Sequence, residues 1–244
     1  MTALDGIGKY FDAAAGQLER VLAAQRGSLE AAARLWTEAI KQDKLLYSFG
    51  SGHSRYIAGE LYWRAGGLAP VMMIEEGTNG LAERVEGYAV TFMSRYDIQA
   101  GDLLVVVSNS GINPVPIEVA MFGKNAGMTV IAVTSLDYSR GAKSRHSSGK
   151  KLYELADVTL DTMGVYGDAV VDLPGVAWRV APTSTLVSVA MLNAVVAQTA
   201  HNLIAQGITP PVLISANVPE GDAHNQQMSD RYWKRLAAFP LRKA

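Results

Sequence analysis

The chain has 244 residues, 49% of them hydrophobic and 18% charged, enough for one large domain with a sizeable core or for two small ones. A formal net charge of −1 leaves no basic excess to attract a nucleic-acid backbone or an anionic membrane, so an anion has to be held by local geometry. Cysteine is absent, which excludes disulfides and thiolate metal sites and is compatible with a reducing cytoplasm.

The opening Met1-Thr2-Ala3-Leu4-Asp5 lacks the charged-then-apolar pattern of a signal peptide. Residues 2–42 are rich in helix formers, with apolar positions such as Leu18, Val21, Leu22, Leu29, Ala32, Ala33, Trp36 and Ile40 at helical spacing. Gly27-Ser28 predicts a break into two helices, with Ser28 as N-cap, that pack on the domain or on a partner subunit. From Lys44 the chain alternates. Short apolar runs predict strands at 44–49, 70–74, 103–107, 129–133 and 157–160, separated by helices at 55–65, 81–93 and 114–125. Strands apolar on both faces and spaced by helices predict a parallel sheet covered on both sides, with ligands outside the carboxyl ends of the strands. Residues 136–151 read as a long basic surface loop or lid. The apolar stretch 186–204 is interrupted by Ser188, Asn193, Gln198, His201 and Asn202, and so reads as a buried helix rather than a membrane span.

The informative residues lie just after the strands. Gly50-Ser51-Gly52-His53-Ser54 follows the first, where glycines allow a tight turn, the next helix offers amides at its N-terminus, and Ser51 and Ser54 add hydroxyls. Arg55 stands where a dinucleotide fingerprint needs its third glycine, there is no Gly-Lys-Ser/Thr, and Phe49 stands where a nucleophile elbow needs its first glycine. Ser108-Asn109-Ser110-Gly111 follows the third strand, with Asn113 and Pro114 opening a helix; capping explains Asn113 but not the two serines. Pro182-Thr183-Ser184-Thr185 opens the long apolar helix, either as a cap or as a third hydroxyl cluster.

Phe-Gly-Ser-Gly-His-Ser, Val-Ser-Asn-Ser-Gly and the Gly-Met-Thr-Val-Ile-Ala-Val-Thr-Ser run resemble the sugar-isomerase (SIS) domain family over residues 44–207. The resemblance implies a three-layer α/β/α sandwich of flavodoxin-like topology, with a mostly parallel five-stranded sheet. The domain would span 43–214, between N-terminal helices at 1–42 and a tail and helix at 215–244 lying over the site. It also implies a sugar phosphate held by Gly50, Ser51, Gly52 and Ser54, by Ser108, Asn109, Ser110, Gly111 and Asn113, and by Ser184 and Thr185, in a homodimer or homotetramer.

Aldose–ketose isomerisation through an enediol needs a base to move a proton between adjacent carbons and an acid/base, often His, for ring opening. The candidate bases are Glu83, placed with Glu86 on one helix face, and Glu60 in reserve. Glu75, Glu76 and Glu86 are further candidate carboxylates. His53 in the first loop and His224 in the polar tail are the ring-opening candidates. His201 reads as a buried or interface residue and His146 as solvated. No metal-ligand spacing is present. The expectation is a cytoplasmic, cofactor-independent phosphosugar isomerase. A sugar-phosphate sensor, a phosphosugar lyase or deaminase, and an isomerase of another anionic sugar are the alternatives, with neither nucleic acid nor membrane as partner.

Overall fold

The computed structural model describes residues 6–236, except for the Trp233 side chain. In chain order it contains α1 (Gly6–Lys41), β1 (Leu46–Gly50), α2 (Ser54–Glu60), β2 (Val71–Ile74), α3 (Ala89–Met93), β3 (Leu103–Val107) and α4 (Pro114–Asn125). Then follow β4 (Thr129–Thr134), α5 (Leu136–Gly141), β5 (Val158–Asp161), β6 (Ala169–Val171), β7 (Val180–Pro182), α6 (Ser184–Ala205) and α7 (Gly221–Leu236). β1–β5 form a five-stranded sheet in the order β2-β1-β3-β4-β5, every pair parallel.

Side chains alternate across the pleat and so sort into two cores. Leu46, Val71, Leu103, Val105, Ile131 and Leu160 face one layer, where they meet Trp36 of α1, Ile57 of α2 and Val187, Leu192 and Val195 of α6. Tyr47, Phe49, Met72, Val106 and Val130 face the other, against Phe92 of α3, Val115 and Val119 of α4, and Tyr232 and Leu236 of α7. The expected α/β/α sandwich is therefore present, with α1, α2 and α6 on one side and α3, α4 and α7 on the other. Among the described helices, α6 has the length and composition to cross a membrane. Its inner face instead packs against Ala32, Ala33 and Trp36, making it a core helix.

Several expectations require correction. Residues 6–41 form one continuous helix. Gly27 faces open space, and its cost of about 1 kcal/mol relative to alanine is small beside the burial gained on both sides of it. The helix expected at 81–93 forms only from Ala89; before it, three successive glycines (Gly77, Gly80, Gly87) adopt positive φ and the chain turns instead. Consequently Glu83 and Glu86 do not share a helix face. Residues 136–141 are helical rather than loop, with Ser135 accepting the Tyr138 amide as N-cap. The antiparallel β6–β7 hairpin was not expected.

The tail is also misplaced by the sequence reading. α7 runs along the amino ends of the strands, opposite the loops: Arg235 bonds Asp102 just before β3, and Arg231 bonds Asp43 just before β1. Asp102 is fully buried and also accepts the amides of Leu45 and Gln99 at 3.0 and 2.8 Å. Arg235→Ala leaves that carboxylate without its cation, and unfolding in denaturant is expected to show a loss of about 2–3 kcal/mol.

Candidate functional site

β1 pairs with β2 on one side and β3 on the other, and Gly50 stands beside Val107. The loops that leave these two positions are therefore neighbours, and they depart to opposite faces of the sheet. This is the switch point at which a parallel sheet opens a crevice.

The first loop is held from outside. A Cβ on Gly50 would lie 2.2 Å from the Ser54 carbonyl oxygen, so the turn closes only on glycine there. Gly80 (φ +90°) brings the turn after β2 against this loop: a Cβ on it would lie 2.5 Å from Gly52 Cα. The clasp between the two is Glu76, buried, whose carboxylate accepts the Ser51 hydroxyl at 3.1 Å, the Thr78 hydroxyl and the Gly80 amide. The Ser51 proton is thus already committed. So are the amides of Ser54, Arg55 and Tyr56, which bond back to Ser51, Gly52 and His53. The helical amides at the start of α2 are therefore committed, whereas the Gly52 and His53 amides ahead of them have no acceptor among the described residues.

The second loop also has free donors, two of them hydroxyls. Buried Ser108 accepts the Gly111 amide through Oγ at 3.2 Å, which leaves its own proton unclaimed. Among the described residues, neither the Asn109 nor the Ser110 amide has an acceptor, and the half-buried Ser110 hydroxyl has no partner. Gly111 (φ +63°) turns the chain where a Cβ would meet Thr134 Oγ1 at 2.9 Å. Asn113 occupies the N-cap position of α4 but does not cap it with its side chain. Its Oδ1 instead accepts Arg145 Nη1 at 2.7 Å, while the Arg145 amide bonds Ile112 O at 2.9 Å. Arg145 thereby straps the loop of residues 142–151 onto the second loop. α4 itself offers no amide, since Pro114 and Pro116 have none and Val115 N bonds Glu83 O.

The start of α6 lies at the same edge of the sheet, linked to the second loop through the exits of β4 and β5. Ser184 is fixed by Asp168, which accepts its amide at 2.9 Å and its hydroxyl at 2.5 Å. Thr185 is exposed, with its hydroxyl unbonded among the described residues.

Of the carboxylates, Glu83 is the one set between the loops. Its Oε2 lies 3.8 Å from a Cβ position on Gly52, and its backbone oxygen holds the first turn of α4. Glu60 pairs with Arg64 and lines a cleft of about 440 Å³ with Arg55, Tyr56, Glu75, Glu76 and Asn79, on the β2 side of the first loop. His53 is exposed at its rim, edge-on to Tyr56 at 5.4 Å. His224 does not reach the crevice: its Nε2 donates to Val212 O at 2.8 Å, beside the Leu68–Val212 bridge that precedes β2. His201 is exposed, and His146 is mostly buried, its Nε2 3.7 Å from Glu118. Glu76, a candidate carboxylate in the sequence, serves as the clasp of the first loop, while Arg145, Asp168 and Gln17, which bonds Thr183, are not among the expected site residues.

A SIS-domain family profile matches residues 9–135, which include the first two loops but not α6. A UPF0309 protein of Listeria monocytogenes serotype 4b (strain CLIP80459) is 39% identical over 239 residues, covering 94% of this chain and 97% of the relative. The chain belongs to the SIS-domain family and, within it, to the UPF0309 proteins. Among solved SIS-type structures, phosphoheptose isomerase from Neisseria gonorrhoeae superposes with a TM-score of 0.57 at 19% identity, over 80% of this chain and 97% of that one. The Vibrio vulnificus NanR protein complexed with ManNAc-6P superposes with a TM-score of 0.52 at 18% identity, over 96% of this chain and 69% of that one. At such identities the likeness establishes the fold.

Two outcomes follow from the geometry of this SIS domain. Gly80→Ala puts a side chain into Gly52 at a positive φ, and thermal unfolding is expected to show destabilisation of more than about 1 kcal/mol, with the first loop displaced. Bonds from Ser147 hold the Glu86 carboxyl below its usual 4.5. The folded value lies below the unfolded one, so this tether persists above the ordinary range and is lost as pH falls through the lowered value. An NMR titration of the Ser147 amide should show a midpoint below 4.5.

Proposed function

We propose that the protein is a cytoplasmic, cofactor-independent phosphosugar isomerase. The phosphate is held by the second loop, through the Asn109 and Ser110 amides and the Ser108 and Ser110 hydroxyls, and by the start of α6 at Thr185, with Ser184 beside it oriented by Asp168. The supporting observation is that the amides and hydroxyl protons of the second loop, at the switch point of the sheet, have no acceptor of their own among the described residues. Successive amides of this kind form an anion-binding concavity that needs no net positive charge.

With the phosphate so placed, the sugar extends over the first loop, where Glu83 is the base that moves a proton between C1 and C2. Gly50, Gly52 and Ser54 shape that floor, and Ser51 is fixed by Glu76. His53, at the rim, serves ring opening, and Glu60 remains the reserve base. The protein is read as a homodimer or homotetramer: Ile7, Phe11, Trp178, Val180 and Leu186 are exposed near the start of α1, the hairpin and α6, an apolar surface that a second copy would cover.

The test is proton exchange at C2 of phosphorylated hexoses, pentoses and amino sugars in D₂O. Ser108→Ala with Ser110→Ala should abolish sugar-phosphate binding, measured by calorimetry, without loss of the fold. Glu83→Gln should slow exchange by about 10²-fold or more while phosphate affinity is retained. Unchanged affinity in the double variant contradicts the site, and unchanged exchange in Glu83→Gln contradicts the base. The second reading is a sensor that binds without turnover. It is favoured by the placement of His224 away from the crevice, and tight binding without C2 exchange would establish it.

A further inference from the structure

We infer that Gln17, on the N-terminal helix, is a positioning residue that joins the two halves of the phosphate cradle. The inference rests on the phosphate site proposed above and extends it to a side chain that touches no ligand.

The second loop and the start of α6 are far apart in sequence, and a continuous run of hydrogen bonds joins them. The Asn109 carbonyl accepts the Thr134 hydroxyl at 3.2 Å and the Ser135 amide at 2.9 Å. Ser135 Oγ donates to Gly164 O at 2.6 Å, and Gly164 N reaches Thr162 Oγ1 at 3.4 Å. Thr162 O accepts Gln17 Nε2 at 2.7 Å, and Gln17 Oε1 accepts the Thr183 hydroxyl at 2.6 Å. Thr183 is the N-cap residue of α6, directly before Ser184 and Thr185.

Gln17, Thr162 and Thr183 are each no more than 2% exposed. An amide there has no water to fall back on, so its donor and acceptor directions are fixed by its two partners. A Cβ on Gly164 would lie 3.6 Å from Gln17 Nε2 and 3.7 Å from Asn109 Oδ1, so the carboxamide of the second loop and that of α1 approach the same backbone point. A helix needed only for packing would present apolar atoms here, as α1 does at Val21, Ala32 and Trp36. Gln17 instead spends both polar ends on the segments that carry the cradle, and it fixes the distance between them.

The probe is inorganic phosphate, which reads the cradle whatever the sugar, and binding is measured well below the melting temperature of each protein. Gln17→Ala should bind it about tenfold more weakly than the unaltered protein. Thr183→Val, which keeps shape and removes the hydroxyl, should weaken it similarly, and the double variant should add little, because both break one link. Gln17→Glu separates positioning from stability. A protonated carboxyl donates to Thr162 O and accepts from Thr183 as the amide does, whereas an ionised one cannot donate, and burial favours the protonated form. Its affinity relative to the unaltered protein should be near one at pH 5 and about tenfold lower at pH 8. The ratio cancels titration of phosphate and of the nearby Asp161 and Asp168.

A lowered melting temperature with unchanged phosphate affinity in Gln17→Ala and Thr183→Val overturns the inference and leaves the site reading intact. So does a Gln17→Glu ratio that is flat with pH. Failure of the unaltered protein to bind phosphate overturns the site reading and this inference with it.

Discussion

The parallel pairing of β1 with β3 is the constraint on which the site depends. It sets Gly50 beside Val107, and the two following helices leave to opposite faces, with Ile57 of α2 in one core and Val115 of α4 in the other. At such a switch point a parallel sheet opens a crevice, here spanned by residues 80–83, which meet Gly52 at one end and Val115 at the other. The surrounding residues furnish that gap. The glycines bring backbone close, the buried Glu76 carboxylate holds its left wall, and the hydrogen-bonded exits of β4 and β5 hold its right.

The two walls divide the work. On the β1 side most donors are engaged internally, Ser51 with Glu76 and the first amides of α2 with the loop that precedes it, and the Gly52 and His53 amides are left without an acceptor among the described residues. On the β3 side they are kept: Asn109 N, Ser110 N and the Ser108 and Ser110 protons lack internal acceptors among the described residues. A rigid wall facing a donor-rich one is the arrangement that preorganises binding of an anion with the remainder of the molecule lying across the gap.

The sheet was legible because its signal is local. Five short runs of β-type residues identify β1–β5, and residues 114–125 announce α4 through Asn113, Pro114 and Gly127. The loops were legible for the same reason, since a strand end followed by small polar residues is a contiguous pattern. What could not be read depended on contacts distant in sequence. Gln17 meets Thr162 and Thr183, more than a hundred residues away, and nothing in its own neighbourhood distinguishes it from other polar positions of α1. α7 is polar and turn-flanked, which suits a lid as well as a base. Asp102, one residue before β3, draws Arg235 to the far edge, and that decides between the two. Residues 81–88 carry helix formers, yet Gly77, Gly80 and Gly87 at positive φ override them to bring Glu83 to the loops.

The first turn of α4 separates two properties that helix starts usually combine. Its prolines and the Val115–Glu83 bond leave no amide for a ligand to touch, yet the peptide dipoles of the remaining turns still align toward the crevice. In the proposed site an incoming anion is therefore drawn by a field whose source it never contacts, while its bonds come from the strapped serine loop in front and the start of α6. Attraction and grip can then vary independently: residues along α4 can alter how strongly charge is favoured without disturbing a single bond to the ligand.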